Sequence, residues 1–204
     1  MARTGRPREF DRDKAVDAAM MLFWAQGFEP TSLQQLRDAM GGISAASFYA
    51  AFGSKAALFR EAVGHYLETH GQALASLMDE TLPPKQAIET ALRRSALMQT
   101  APAHPPGCLI VLGASNCSPE NLHIEALLKS ERARNRQAIA AHLARAVADG
   151  ALPPTADVAM LAGVFNTFLL GISSEARDGA GWAAIDASIT GLMSLWDDAA
   201  RTAT

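Results

Sequence analysis

The chain has little with which to cross-link, span a bilayer or run a reaction. Two cysteines in 204 residues make no disulfide framework. The longest apolar stretch, Val158 to Ile172, includes Asn166 and Thr167 and falls short of the roughly 20 residues a membrane helix needs, so it reads as a buried helix. The opening MARTGRPREF has no hydrophobic core of a secretory signal, and a cytoplasmic protein is expected. Aromatics make up only 6% and β-branched residues are sparse beside abundant alanine, which disfavours sheet. There is no nucleophile elbow, no phosphate-cradling glycine loop and no spaced set of metal ligands. His65 and His70, five apart, fall on different sides of a helix. No catalytic residue, cofactor, metal or membrane partner is therefore expected, with a helical enzyme kept as an unfavoured alternative.

What is present is a helical chain with ample core. Hydrophobic residues make up 49%, and the mean hydropathy is +0.05. The fold class expected is all-α with about nine helices, a helix-turn-helix domain over 1–60 and a helical domain over 61–204. The net charge of −3 does not suggest a nucleic-acid binder, but its distribution does. Residues 1–60 hold eight Lys/Arg against six Asp/Glu, a net +2, and the remainder carries −5. Basic charge at one end only is the pattern of a chain that meets phosphate there, and an architectural DNA protein would be basic throughout.

Local signals divide the chain. Asp11 caps a helix with Val16, Ala19, Met20 and Phe23 on one face, ended by Gly27. Thr31 is read as the next cap, with Gln34 closing a capping box. Gly41-Gly42 breaks that helix, and Ser44 caps a short one carrying Phe48 and Phe52. Ser54 starts a long helix predicted to reach Met78. Further helices are predicted over 84–100, from Ser118-Pro119-Glu120 to Asp149, from Pro153 to Asp178, and from Trp182 to Ala200.

The stretch TSLQQLRDAMGGISAASFYAAFGSK, Thr31 to Lys55, thus reads as two short helices about a glycine turn, the spacing that seats a second helix in a major groove. Arg3, Arg6 and Arg8, in an arm with Gly5 and Pro7, suit insertion into a narrow minor groove, or form a basic tail without a specific contact. Thr31 offers a hydroxyl and helix-start N–H groups to a phosphate. Gln34 can read an adenine edge. Ser44, Ala45, Ser47, Tyr49 and Ala50 form the outward face of the second helix. Tyr49 gives a hydroxyl to phosphate, the alanines permit close approach to thymine methyls, and Lys55 adds a phosphate charge.

Phe10 to Phe59 resembles the DNA-binding domain of the TetR/AcrR family of bacterial transcriptional regulators. The resemblance rests on Leu22-Phe23 with Gly27, Thr31-Ser32, Gly42-Ile43-Ser44, Phe48-Tyr49, Phe52 and Lys55. It implies that Ser47, Tyr49 and Lys55 contact phosphate and that Gln34 and Ala45 face bases. Family members commonly carry basic or aromatic residues where this chain has Ala45, Ala50 and Ala51, so base readout here leans on Gln34, Ser44, the arm and DNA shape. The resemblance further implies a double-stranded operator, a C-terminal ligand pocket and a two-helix dimer interface.

The second half accommodates those implications. Met160, Val164, Phe168 and Ile172 on one helix and Ile185, Ile189, Leu192, Met193 and Trp196 on the last are the dimer-interface candidates, able to form a four-helix bundle or to complete a monomer core. Pocket candidates are Leu97, Met98, Cys108, Ile110, His123, Leu127, Phe165, Asn166 and Phe168, which suit an apolar or aromatic effector or serve as plain core. Cys108 and Cys117 raise a redox- or electrophile-sensing alternative, against their more usual role as small buried hydrophobes. The reading is a ligand-responsive homodimeric repressor released from a palindromic operator.

Overall fold

The computed structural model describes residues 11–201. Among them are nine α-helices and two 3-10 segments, with no strand. The helices are α1 Arg12–Gln26, α2 Leu33–Ala39, α3 Ala45–Phe52, α4 Lys55–Glu68, α5 Pro84–Gln99, α6 Leu109–Leu112, α7 Leu122–Ala148, α8 Val158–Arg177 and α9 Trp182–Arg201. The 3-10 segments span His70–Met78 and Pro119–Asn121.

Caps set most of the boundaries. The Asp11 carboxylate accepts from the Lys14 N–H at 3.2 Å to start α1, and Gly27, at φ +86°, ends it. The second cap falls one residue later than expected. Ser32 accepts from the Gln35 N–H and the Gln35 side chain accepts from the Ser32 N–H, so the capping box is Ser32–Gln35, not Thr31–Gln34. The helix expected to run to Met78 stops at Glu68. There the Thr69 hydroxyl donates back to the His65 carbonyl and the Gln72 amide to the Leu67 carbonyl, and Gly71 then lowers the helical preference of the following turn. α8 begins at Val158 instead of Pro153. Pro154 disfavours a helical conformation in the residue before it, and Asp157 caps the helix by accepting from the Met160 N–H.

The apolar faces gather into two clusters. The first joins Met20, Phe23 and Trp24 of α1 to Leu36, Phe48, Leu58, Phe59 and Tyr66, all with 1% exposure or less. It continues without a break into Leu109, Ile124 and Leu128 of α6 and α7. Burial of each such side chain contributes about 1.5–3 kcal/mol. The second cluster surrounds α5: Ile88 and Leu92 meet Ile139 and Leu143 of α7, Phe165 of α8, and Ile189 and Trp196 of α9. Arg93 ties α5 to α9, gripping Glu89 on its own helix and the Asp186 carboxylate opposite. α8 is long and apolar enough to cross a bilayer by length and composition. Its Phe165, Leu169, Ile172 and Ser173 are nonetheless buried against neighbouring helices.

Polar contacts pin α1 and the loop after it to the rest. The Trp24 indole N–H donates to the Gly107 carbonyl at 3.1 Å, the Phe28 N–H to the Gly113 carbonyl at 2.7 Å, and Arg177 to the Ala25 carbonyl at 2.7 Å. Gly113 has no room for a methyl group, because a Cβ there would stand 2.6 Å from the Leu109 carbonyl oxygen. Gly113→Ala is expected to lower stability by about 1–3 kcal/mol through overpacking. Because the clash shifts the residue-113 carbonyl that anchors the Phe28 N–H, amide exchange at Phe28 should accelerate more than exchange in α9, as measured by hydrogen–deuterium exchange.

Candidate DNA-reading face and effector cavity

The turn between α2 and α3 depends on Gly41 and Gly42, both at positive φ, where a side chain would be strained. Ser44 then caps α3, its oxygen accepting from the Ser47 N–H at 3.0 Å and lying 2.9 Å from the Ser47 hydroxyl. Phe48 and Phe52 are buried beneath α3, which leaves Ala46, Ser47, Tyr49 and Ala50 outward and Ala45 half-buried. Tyr49 is 53% exposed and stands edge-on to Phe48 at 5.5 Å, so its ring is braced while its hydroxyl reaches solvent. α3 therefore presents a low, smooth surface with two hydroxyl side chains and one phenol.

Gln34 lies exposed on α2, outside the capping box. Its amide N–H donates to Asp38 at 2.8 Å and its oxygen accepts from Arg37 at 3.1 Å. Arg37 also donates to the Ile43 carbonyl at 2.8 Å, holding α2 against the turn. This Arg37–Gln34–Asp38 set was missed in the sequence reading. Its signal is the spacing Gln34, Arg37, Asp38, three and four apart on one helical face.

Two expected phosphate contacts are placed differently. Thr31 is fully buried and its hydroxyl donates to the Gly27 carbonyl at 2.6 Å, so the assignment of Thr31 to phosphate is corrected: its hydroxyl closes the α1–α2 turn. Lys55 is half-buried at the start of α4. Its ammonium lies 4.3 Å from the Phe28 ring centre and donates to the Glu29 carbonyl at 3.3 Å. Burial pulls its pKa below the usual lysine value, against the opposing pull of Glu29. Arg3, Arg6 and Arg8 lie outside the described residues.

A cavity of about 460 Å³ opens among the end of α4, the 3-10 segment 70–78, α5, α6, α7 and α8. Met98, Cys108, Ile110 and Asn166 line it as expected from the sequence. The other pocket candidates are corrected. Leu97 is exposed on the far side of α5, His123 is exposed on α7, Leu127 packs on the first cluster, Phe165 is sealed in the second, and Phe168 borders an outer groove between α8 and α9. The sequence reading missed Tyr66, His70, Ser95, Gln99, Asn135 and Leu169 in the wall. Ser95 and Gln99 had a signal: a polar pair four apart on the otherwise apolar face of α5.

The polar groups of the wall are mostly engaged. Ser173 donates to the Gln99 oxygen and the Gln99 amide donates to Ser95, both at 2.7 Å. The Tyr66 hydroxyl donates to Cys108 Sγ at 3.2 Å. The Asn166 Oδ1 is buried with no hydrogen-bond partner among the described residues. His70 sits where the cavity meets α1, its ring 4.8 Å from Trp24 and 5.8 Å from Tyr66, while His104 stacks on Trp24 at 4.3 Å. Burial, and then His104, push His70 below the ordinary histidine pKa.

The two cysteines occupy different surroundings. Cys108 lines the cavity, whereas Cys117 packs near Glu29 and Lys55. Burial first of all raises both thiols above the usual cysteine value, which lowers their thiolate content at neutral pH.

This is a helix-turn-helix head joined to a helical body with an internal cavity. A family description, bacterial regulatory proteins of the tetR family, matches residues 15–62. Over 177 residues the chain is 36% identical to the HTH-type transcriptional repressor ComR of Escherichia coli, covering 86% of this chain and 84% of that protein. It is 33% identical over 116 residues to the HTH-type transcriptional repressor BdcR of Escherichia coli, covering 57% of this chain and 58% of that protein. Among solved structures, a cysteine-substituted form of the TetR family transcriptional regulator CifR, complexed with a 26-base-pair double-strand operator DNA, superposes with a TM-score of 0.86 at 36% identity, covering 94% of this chain and 100% of that one. The chain belongs to the TetR family of bacterial regulatory proteins.

One charge at the head–body junction titrates in an accessible range. Glu29 accepts from the Asn121 amide at 2.9 Å and from the Ser118 N–H at 2.7 Å, and these bonds hold its pKa down to about 2. A depressed carboxylate stabilises the fold fully above its unfolded pKa of about 4.5, and that contribution disappears as pH falls toward 2. Glu29→Gln should therefore melt lower than the parent at pH 7, and the two melting curves should converge as pH approaches 2 in calorimetric scans.

Proposed function

We propose that this protein is a homodimeric repressor which leaves a palindromic operator when a small molecule fills the cavity among α4 to α8, and that it carries out no catalysis. The observation that carries the reading is shared side chains. Tyr66 and His70 are at once cavity wall and ring partners of Trp24, a residue of α1 in the reading head. A ligand that displaces them changes the seat of Trp24, and with it the angle at which α3 is held. Coupling then follows from a difference in ligand affinity between the two head positions.

Two-fold symmetry is supported by the outer faces of α8 and α9, although not by all the residues that the helical period assigns to a partner. Ile172, Ile185, Ile189, Met193 and Trp196 are buried within the protomer and join α9 to α5 and α8. The face left for a partner carries Met160, Val164, Phe168 and Gly171 of α8 with Ala184, Ser188, Gly191, Leu192 and Leu195 of α9. Small residues next to exposed apolar ones, with Met160 53% and Leu195 41% exposed, suit close helix packing. Leu195→Glu should leave helical content intact, shift the protein to monomer in sedimentation velocity and abolish tight operator binding, because a single head reaches one half-site.

At the DNA, Ser47 and Tyr49 are assigned to phosphate, and Ser44, Ala45 and Gln34 to the major-groove floor. The test is binding of the purified protein to the DNA upstream of its own gene against non-specific competitor. Tyr49→Phe should weaken binding to operator and competitor alike by roughly five- to tenfold, the worth of one hydrogen bond. Gln34→Ala should instead narrow the gap between them. Absence of any sequence preference in the parent protein would refute the reading.

A further inference from the structure

The cavity wall has one fully buried side-chain atom that finds no hydrogen-bond partner among the described residues. Asn166 is 3% exposed, lines the cavity from α8, and its Oδ1 has no hydrogen-bond partner. A buried amide oxygen without a partner costs about as much as a lost hydrogen bond, so its retention in an apolar helix calls for a role. The neighbouring polar groups do not supply a partner. Gln99, Ser95 and Ser173 satisfy one another, and the Tyr66 hydroxyl is directed to Cys108.

The charges around the cavity balance: Arg132 and Arg134 face Glu68 and Glu131. Arg132 donates to the Ile110 carbonyl at 2.7 Å, and Arg134 pairs with Glu131 at 3.0 Å. His70 is kept toward its neutral form by burial and by His104. The remaining wall is chiefly Leu67, Leu74, Met98, Val111, Leu169 and Leu170. An apolar cavity of about 150 Å³ already accepts benzene, so 460 Å³ has room for a ring with substituents.

We propose that the effector is a small, uncharged, mainly apolar molecule, and that it is anchored by one hydroxyl or amide group hydrogen-bonded to the Asn166 carboxamide. A hydroxyl or amide both donates and accepts, so it complements either end of that side chain. A carboxylate would meet the unpaired Asn166 oxygen in a wall whose two arginines, Arg132 and Arg134, are already balanced by Glu68 and Glu131. This rests on the ligand-responsive reading above and names the chemistry its cavity selects.

The test compares benzyl alcohol, toluene and benzoate on the full-length protein and on Asn166→Leu and Asn166→Ala, with dissociation constants from NMR titration. Intrinsic hydrophobicity cancels when the toluene-to-alcohol ratio of the parent is divided by that of each variant. That quotient should be at least about threefold and near tenfold at best, the range of one hydrogen bond. Benzoate should bind the parent at least about tenfold more weakly than the alcohol.

Asn166→Leu should also raise Tm in the absence of any probe by about 2–4 °C, because an unmet polar group has been removed. A quotient below threefold in both variants, benzoate binding as tightly as the alcohol, or a Tm fall of that size in Asn166→Leu each overturns the proposal while leaving the regulator reading standing. Failure of all three probes to bind the parent removes the ligand cavity itself, and the proposal with it.

Discussion

Trp24 is the position on which the rest of the architecture depends. Its indole is fully buried between the reading head and the body, and it has one hydrogen-bond donor to place. The Gly107 carbonyl takes that donor, His104 covers one face, and Tyr66 and His70 meet it edge-on. A tryptophan held this way tolerates little rotation, so the C-terminal end of α1 is a reference point for both halves of the molecule. The continuous cluster from Phe23 to Leu128 is the apolar counterpart of this clamp.

The junction is also closed by matched polar groups. Glu29, Phe28, Ala25 and Arg177 all close contacts across it. Contacts of that density transmit displacement, because packed side chains move between discrete arrangements and do not deform smoothly. The cavity wall is different in kind: mainly apolar, partly built from a 3-10 segment, and with an unmet amide oxygen at Asn166. Rigidity on one side of Tyr66 and His70 and spare room on the other is the physical asymmetry that the proposed ligand response requires.

Much of this was legible in the chain itself. Short-range rules located α1, α3, α5, α7 and α9 because caps, glycines and prolines act over three or four residues. They misjudged places where two short-range signals compete. Thr31 and Ser32 are both good caps, and only the burial of Thr31 against the Gly27 carbonyl decides between them. Residues 69–78 carry a helical pattern that side-chain capping at Thr69 and Gln72 interrupts. The cavity was half-legible, since Met98, Cys108, Ile110 and Asn166 follow from apolar segments. His70 enters the wall because the chain leaves α-helical geometry after Glu68, and Tyr66 because the end of α4 packs beside α6, a contact that local pattern does not show. The inner and outer sides of α9 cannot be told apart by period alone, which is why Ile185, Ile189 and Trp196 were first given to a partner.

The bare outer side of α3 bears on the history of such a protein. Ala46 and Ala50 stand in solvent and support no part of the core, so a larger side chain at either position leaves the free protein's stability nearly untouched. A head of this kind separates holding DNA from choosing it. On the proposed reading the hydroxyls hold the DNA backbone, while Ala46 and Ala50 are positions where a base-contacting side chain can be added without cost to the fold. Duplicated copies of such a gene can diverge toward new sites by single substitutions while keeping the same cavity and the same clamp at Trp24.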